Sequence, residues 1–252
     1  MTGRLAVVHY LAGLSLAAAT VLALDTRTVP MRVTAHGRPP VVTTPTHADP
    51  RPVRGVGADL PPGAPFPVHG TGRWRVVPGT AKPTGPGPAF AYSVEVEEGV
   101  TLPEGDQPFA AQVHHTLVHP RGWKRRGFEF RRVDTAPTLR IRLAAQDTAR
   151  ELCGFDLPYD TSCRIGDTVY LSAPRWIRGA HTYDDLTAYR AYVVNHEVGH
   201  FLGYGHEPCP EDGARAPVMM QQTLSTANDE LAALSGEAPA DGKTCTPDPW
   251  PR

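Results

Sequence analysis

The sequence predicts an α+β fold built from a twisted mixed sheet, one long helix that carries the chemistry, and an irregular segment after it. Three observations lead there. Apolar and polar residues alternate over Phe90 to Val96 as in a half-buried strand, and further strand-like runs lie at Trp74 to Val77, Gly127 to Asp134, Thr138 to Ala144 and Thr168 to Ser172. Helical periods fall between them. Pro108 to His119 repeats Phe109, Val113 and Leu117 about one turn apart, and a shorter helix is expected over Asp147 to Leu152. The last helix, capped by Asp184 or Asp185, runs through Tyr189, Tyr192 and Val193 into a segment of three histidines and a glutamate that ends at His206.

At the N-terminus, Leu5 to Leu24 form an apolar run broken only by His9, Ser15 and Thr20 and preceded by Arg4. Residues 1–24 therefore read as an export segment, either a signal peptide cleaved after small residues near Ala23 or a retained membrane anchor. After it the composition shifts: 14 of the 27 prolines fall between Pro30 and Pro88, too few large apolar residues accompany them to build a core, and residues 25–70 are expected to be a disordered Pro-rich linker. Residues 71–252 remain as the folded domain. The formal net charge of −1 gives no reason to expect nucleic acid as a partner.

The chemistry sits in Asn195-His196-Glu197-Val198-Gly199-His200-Phe201-Leu202-Gly203-Tyr204-Gly205-His206. At 3.6 residues per turn, His196 and His200 stand on one helix face and can reach a single ion. Glu197 lies off that line but beside the ion, where its carboxylate can act as a base toward water. Gly203 suits a helix stop in the left-handed conformation, and the turn returns His206 as a third ligand. Three neutral histidines leave one coordination position open, as in catalytic zinc sites, whereas structural zinc is closed by four ligands, mostly cysteines. An amphipathic helix with incidental histidines is the rival, and it fails because such groups are costly to bury without a metal or other partners. His115 and His119 are also one turn apart, but with no carboxylate between them they read as a solvated face.

At these residues the chain resembles the metzincin metallopeptidases, whose HExxHxxGxxH motif is matched at every specified position by His196, Glu197, His200, Gly203 and His206. Those enzymes also carry a methionine in a tight turn beneath the metal. Pro217-Val218-Met219-Met220 is placed to be that Met-turn, with Met219 preferred over Met220. Over roughly residues 70 to 252 the chain further resembles a family of actinobacterial exported, zincin-like proteins with no assigned activity. The resemblance implies a metzincin-like domain, Zn2+ on His196, His200 and His206, and Glu197 as general base. It also implies an edge strand above the cleft that pairs with extended substrate, and Thr168 to Ser172 is either that strand or one more core strand. Glu207 follows the third His as in astacins, yet Pro208 comes next and Gln221 or Gln222 stands where astacins place a tyrosine ligand, so substrate preference is left open.

Four cysteines in an exported chain invite two disulfides, and pairing of neighbours is the simplest of three connectivities: Cys153 with Cys163, and Cys209 with Cys245. A cysteine-ligated metal is the weaker reading, since no CxxC occurs. No cysteine precedes Cys153, which excludes the propeptide thiol that holds matrixins inactive. The expectation is thus an exported, monomeric, zinc-dependent endopeptidase acting on a peptide or protein substrate. It would be extracytoplasmic, secreted or anchored to the outer face of the plasma membrane, and would touch the membrane only through its N-terminal segment. Two alternatives use the same residues: hydrolysis of cell-wall peptide crosslinks, and a non-catalytic zinc-binding or interaction module. Glu197 argues against the second, because structural zinc needs no base.

Overall fold

The computed structural model describes residues 56–85, 88–153 and 157–252. The apolar run Leu5 to Leu24, and with it the choice between signal peptide and anchor, lies outside the described residues. So does the linker up to residue 55. None of the described helices is long and apolar enough to cross a membrane.

The fold is α+β with a mixed sheet. β1 (Trp74–Val76) pairs antiparallel with the end of β2 (Ala89–Glu97), and β2 is joined in parallel to β3 (Glu129–Arg132) and β4 (Leu139–Ala144). Beyond β4 come β6 (Thr168–Ser172), parallel, and then β5 (Cys163–Ile165), antiparallel at the margin, giving the order β1-β2-β4-β6-β5. Thr168 to Ser172 is therefore an interior strand, and the open edge beside it belongs to the shorter β5. The sequence also predicts a half-buried β2, whereas the structure buries both of its faces from Ala91 onward. The polar face is covered because its carboxylates are satisfied. Glu97 accepts from Gly72 N, Ala145 N and Thr148 Oγ1, and Glu95 accepts from Ser93 Oγ and Arg142 Nε.

Helices cover the sheet. α1 (Asp106–Val118) buries Phe109, Val113 and Leu117, the residues that recur at one-turn spacing, and packs against α4 (Leu186–Phe201). α2 (Gln146–Cys153) and α3 (Ala173–Arg178) flank β6. The main core joins β2, β4 and β6 to α1 and α4, and Met219 packs in the same cluster. A second, smaller cluster is separate from it. It gathers Ala58, Tyr159, Met220, Leu224 and Leu231, the last from α5 (Asn228–Leu234), around the Cys209–Cys245 disulfide.

Two features correct or complete the sequence reading. Residues 56–70, assigned to the linker, are packed onto the domain. Ala58 is fully buried, the Arg175 guanidinium donates to the carbonyls of Ala58 (2.6 Å) and Asp59 (3.2 Å), and Gln146 N and Asp147 N donate to Pro67 O and Val68 O. The contacts run mostly through backbone carbonyls, which every residue owns, so a Pro-rich composition hides them. The four cysteines form Cys153–Cys163 and Cys209–Cys245, spanning 10 and 36 residues, the bonding expected of a chain in an oxidising compartment.

Candidate metal centre

α4 starts on Asp185, whose carboxylate accepts from Thr187 N at 2.8 Å, and runs to Phe201. On its inner face the rings of His196 and His200 meet edge to face with centroids 4.8 Å apart. The helix stops after Phe201. Gly203 takes φ 94°, a left-handed value that a side chain would strain, and Tyr204 N donates back to Gly199 O. The chain then turns to bring His206 opposite the other two. His200 Nε2 stands 3.2 Å from His196 Nε2 and 3.1 Å from His206 Nε2, and the three ligand atoms lie within 4.8 Å of one another. Among the described residues this is the one cluster of three or more His, Cys, Asp or Glu able to hold a metal.

The other ring nitrogens fix the tautomers. His196 Nδ1 donates to Val218 O (2.8 Å), His200 Nδ1 to Tyr204 O (2.9 Å), and His206 Nδ1 to the Glu237 carboxylate. Each Nδ1 faces an oxygen acceptor and so carries the proton, which leaves three Nε2 lone pairs aimed at one another. Lone pairs at 3.1–3.2 Å repel unless a cation lies between them. Tetrahedral zinc with bonds of about 2.0–2.1 Å separates its ligand nitrogens by about 3.3 Å, so the two short edges and the donor set both fit such an ion. Burial also holds the pKa of His196 well below its ordinary value and lowers that of His200, keeping both rings neutral as ligands must be.

Glu197 follows on the same helix, is buried, and lines the same cleft of about 280 Å³. Its Oε2 has no hydrogen-bond partner among the described residues. Burial pushes this carboxyl up to about 8, with the charge of Arg164 pulling the other way. Below α4, Pro217 to Met220 close a turn through Met220 N to Pro217 O (3.0 Å); the Met219 side chain packs in the main core with α4, while Met220 packs in the second cluster and its carbonyl accepts from Tyr192 OH at 2.9 Å. The approach leaves little room for a side chain at Gly199: a Cβ there would stand 2.3 Å from Met219 Sδ and 2.7 Å from Trp123 Cζ2. The same turn presents Val218 O to His196.

His115 and His119 are elsewhere. His119 stacks on Trp250, and among the described residues no ligand group joins the pair. The sequence reading missed Glu237, the cleft-wall residues Thr223 and Leu224, and Arg164 on β5, while Gln221, one of the two residues it aligned with the astacin tyrosine, does line the cleft. Glu237 carries no signal in sequence, since it lies 31 residues past its partner in an irregular stretch. Strand β5 has only three residues, too few for a period to register.

A family model described as a protein of unknown function, DUF3152, matches residues 60–252. The chain belongs to the DUF3152 family. Its match begins at residue 60, within the packed segment that composition alone assigned to a linker, so the DUF3152 domain and the packed body nearly coincide. No curated protein and no solved structure matches this DUF3152 chain.

Proposed function

We propose that this chain is an exported zinc-dependent endopeptidase of metzincin type, with His196, His200 and His206 as ligands and Glu197 as general base. The observation that carries the reading is the orphaned Glu197 Oε2 beside three converging Nε2 lone pairs. A buried carboxylate oxygen without a partner is costly in a structural site, and a site that must take up a proton needs one. When bound, zinc supplies Lewis-acid chemistry, lowering the pKa of water toward about 7 and polarising a carbonyl. The chain's own residues do the rest. The histidines hold the ion, Glu197 takes the proton from water and passes it to the leaving amine, and the paired Nδ1 contacts keep each ligand ring in place. Met219 and its turn would form the floor expected of a metzincin. Among the described residues β5 pairs with β6 alone, which leaves an open sheet edge along the cleft where an extended peptide can add a strand.

The test uses the full-length protein, its Glu197→Gln and His206→Ala variants, a zinc assay and a mixed peptide library. The parent is expected to bind zinc and cleave. Glu197→Gln should keep zinc and lose about 10² to 10⁴ in rate, the usual worth of a general base, whereas His206→Ala should lose metal and activity together. A parent that binds no metal, or a Glu197→Gln variant as fast as the parent, defeats the proposal. Zinc bound with no peptide cleaved would point to a non-catalytic zinc module instead.

A further inference from the structure

We infer that the cleft recognises a carboxylate of the substrate near the scissile bond through Arg164 on β5, an assignment that rests on the peptidase reading above. Arg75 meets Asp106 at 2.9 Å, Arg142 meets Glu95 at 2.8 Å and Arg190 meets Glu104 at 2.8 Å, whereas the buried Arg132 and Arg175 donate to backbone carbonyls. Arg164 has no such carboxylate either, yet it is exposed and lines the cleft. Among the described residues no carboxylate lies within ion-pair distance of it, and its two hydrogen bonds go to carbonyls, His200 O at 2.9 Å and Gly166 O at 3.5 Å.

The firm bond to His200 O lays the side chain across the C-terminal end of α4, so the guanidinium is held at the cleft instead of sweeping through solvent. A guanidinium has five N–H donors in a planar fork, and that bond uses one of them. The remainder suits a bidentate carboxylate. In the cleft lining Arg164 is the one side chain with a fixed positive charge. The other polar lining groups are the three histidines, Glu197 and neutral hydroxyls and amides. Whenever Glu197 is ionised it opposes an anionic substrate here, and the charge of Arg164 offsets that opposition. Because Arg164 belongs to the open edge strand, a peptide laid along β5 would pass its own groups within reach of the guanidinium.

Two sources supply this chemistry, the terminal α-carboxylate of a peptide and an aspartate or glutamate side chain, and the experiment separates them. Zinc-loaded full-length Glu197→Gln, which should bind without turnover, is titrated with an alanine peptide ending in a free carboxyl, with its amide, and with amides carrying one glutamate or one glutamine. The same peptides are offered to the parent for cleavage. Tighter binding of carboxylate peptides than of their neutral partners, on the order of tenfold, is expected. Adding Arg164→Gln should bring that ratio near one, and adding Arg164→Lys should keep part of it. Preference for the free terminus indicates the α-carboxylate, and preference for glutamate indicates the side chain. Equal binding of charged and neutral peptides overturns the inference while leaving the peptidase reading untouched if the parent cleaves them. Equal weakening of every peptide by Arg164→Gln also overturns it, since the residue then only closes the end of α4. Failure of the parent to cleave any peptide counts against the peptidase reading, and the binding ratio still decides the role of Arg164.

Discussion

The two halves of the candidate metal centre are built in opposite ways. His196, Glu197 and His200 stand on one α-helix packed into the main core, where backbone geometry alone fixes their spacing. His206, the Met219 turn, Glu237 and the far cleft wall belong to a segment whose one helix, α5, has 7 residues. That segment is held by different means: the Cys209–Cys245 bond, the isolated bridges Arg215–Thr246 and Ala227–Thr244, and Asn228, which donates to Cys209 O and accepts from Cys209 N. The contrast teaches a division of labour. The helical half sets which groups meet, and the irregular half orients them through Val218 O and Glu237 and supplies the third histidine, His206.

If this division is right, lesions in the irregular half should loosen the metal without unfolding the sheet. The largest effect is expected from removing Cys209–Cys245. Its 36-residue loop corresponds to about 4 kcal/mol of unfolded-state entropy, against about 3 kcal/mol for the 10-residue loop of Cys153–Cys163. Double Cys→Ser variants compared by denaturant unfolding and zinc titration check this. The first pair should lose both stability and zinc affinity, and the second mainly stability. Equal loss of zinc affinity in both would erase the distinction between the halves.

A smaller and more local effect is expected at Glu237. Glu237→Gln keeps an acceptor for His206 Nδ1 but removes the charge, and outer partners of this kind are typically worth about 10- to 100-fold in metal affinity. Competition with a chelator measures it, with the thermal midpoint of the metal-free protein as control. A fall in that midpoint as large as the change in affinity would make Glu237 a structural residue instead of a positioning one.

The smallest effect lies where the halves touch. Gly199→Ala places a Cβ against Met219 Sδ and the Trp123 ring. Overpacking costs about 1–3 kcal/mol, while alanine in a helix returns about 1 kcal/mol, so a net loss of about 1 kcal/mol is expected from denaturant titration. Stabilisation by Gly199→Ala would mean that Met219 moves freely and that the turn is not pressed against α4.

The sequence by itself determined the elements whose cause is local. The period of α1, the Asp185 cap, the i to i+4 pairing of His196 with His200 and the stop at Gly203 all follow from spacing along one helix, and the structure repeats them. Neighbour pairing of the four cysteines was likewise legible, because it needed only proximity along the chain. What only the tertiary structure decided are the contacts made by groups that carry no pattern. Backbone carbonyls draw residues 56–70 onto Arg175 and α2, partners from distant parts of the chain satisfy Glu95 and Glu97 and let both faces of β2 be buried, and a three-residue strand takes the sheet edge from Thr168–Ser172. Glu237 reaches His206 across 31 residues of chain. Periodicity records which face of an element is apolar, and it does not record which distant carboxylate or carbonyl will meet a given donor once the elements pack.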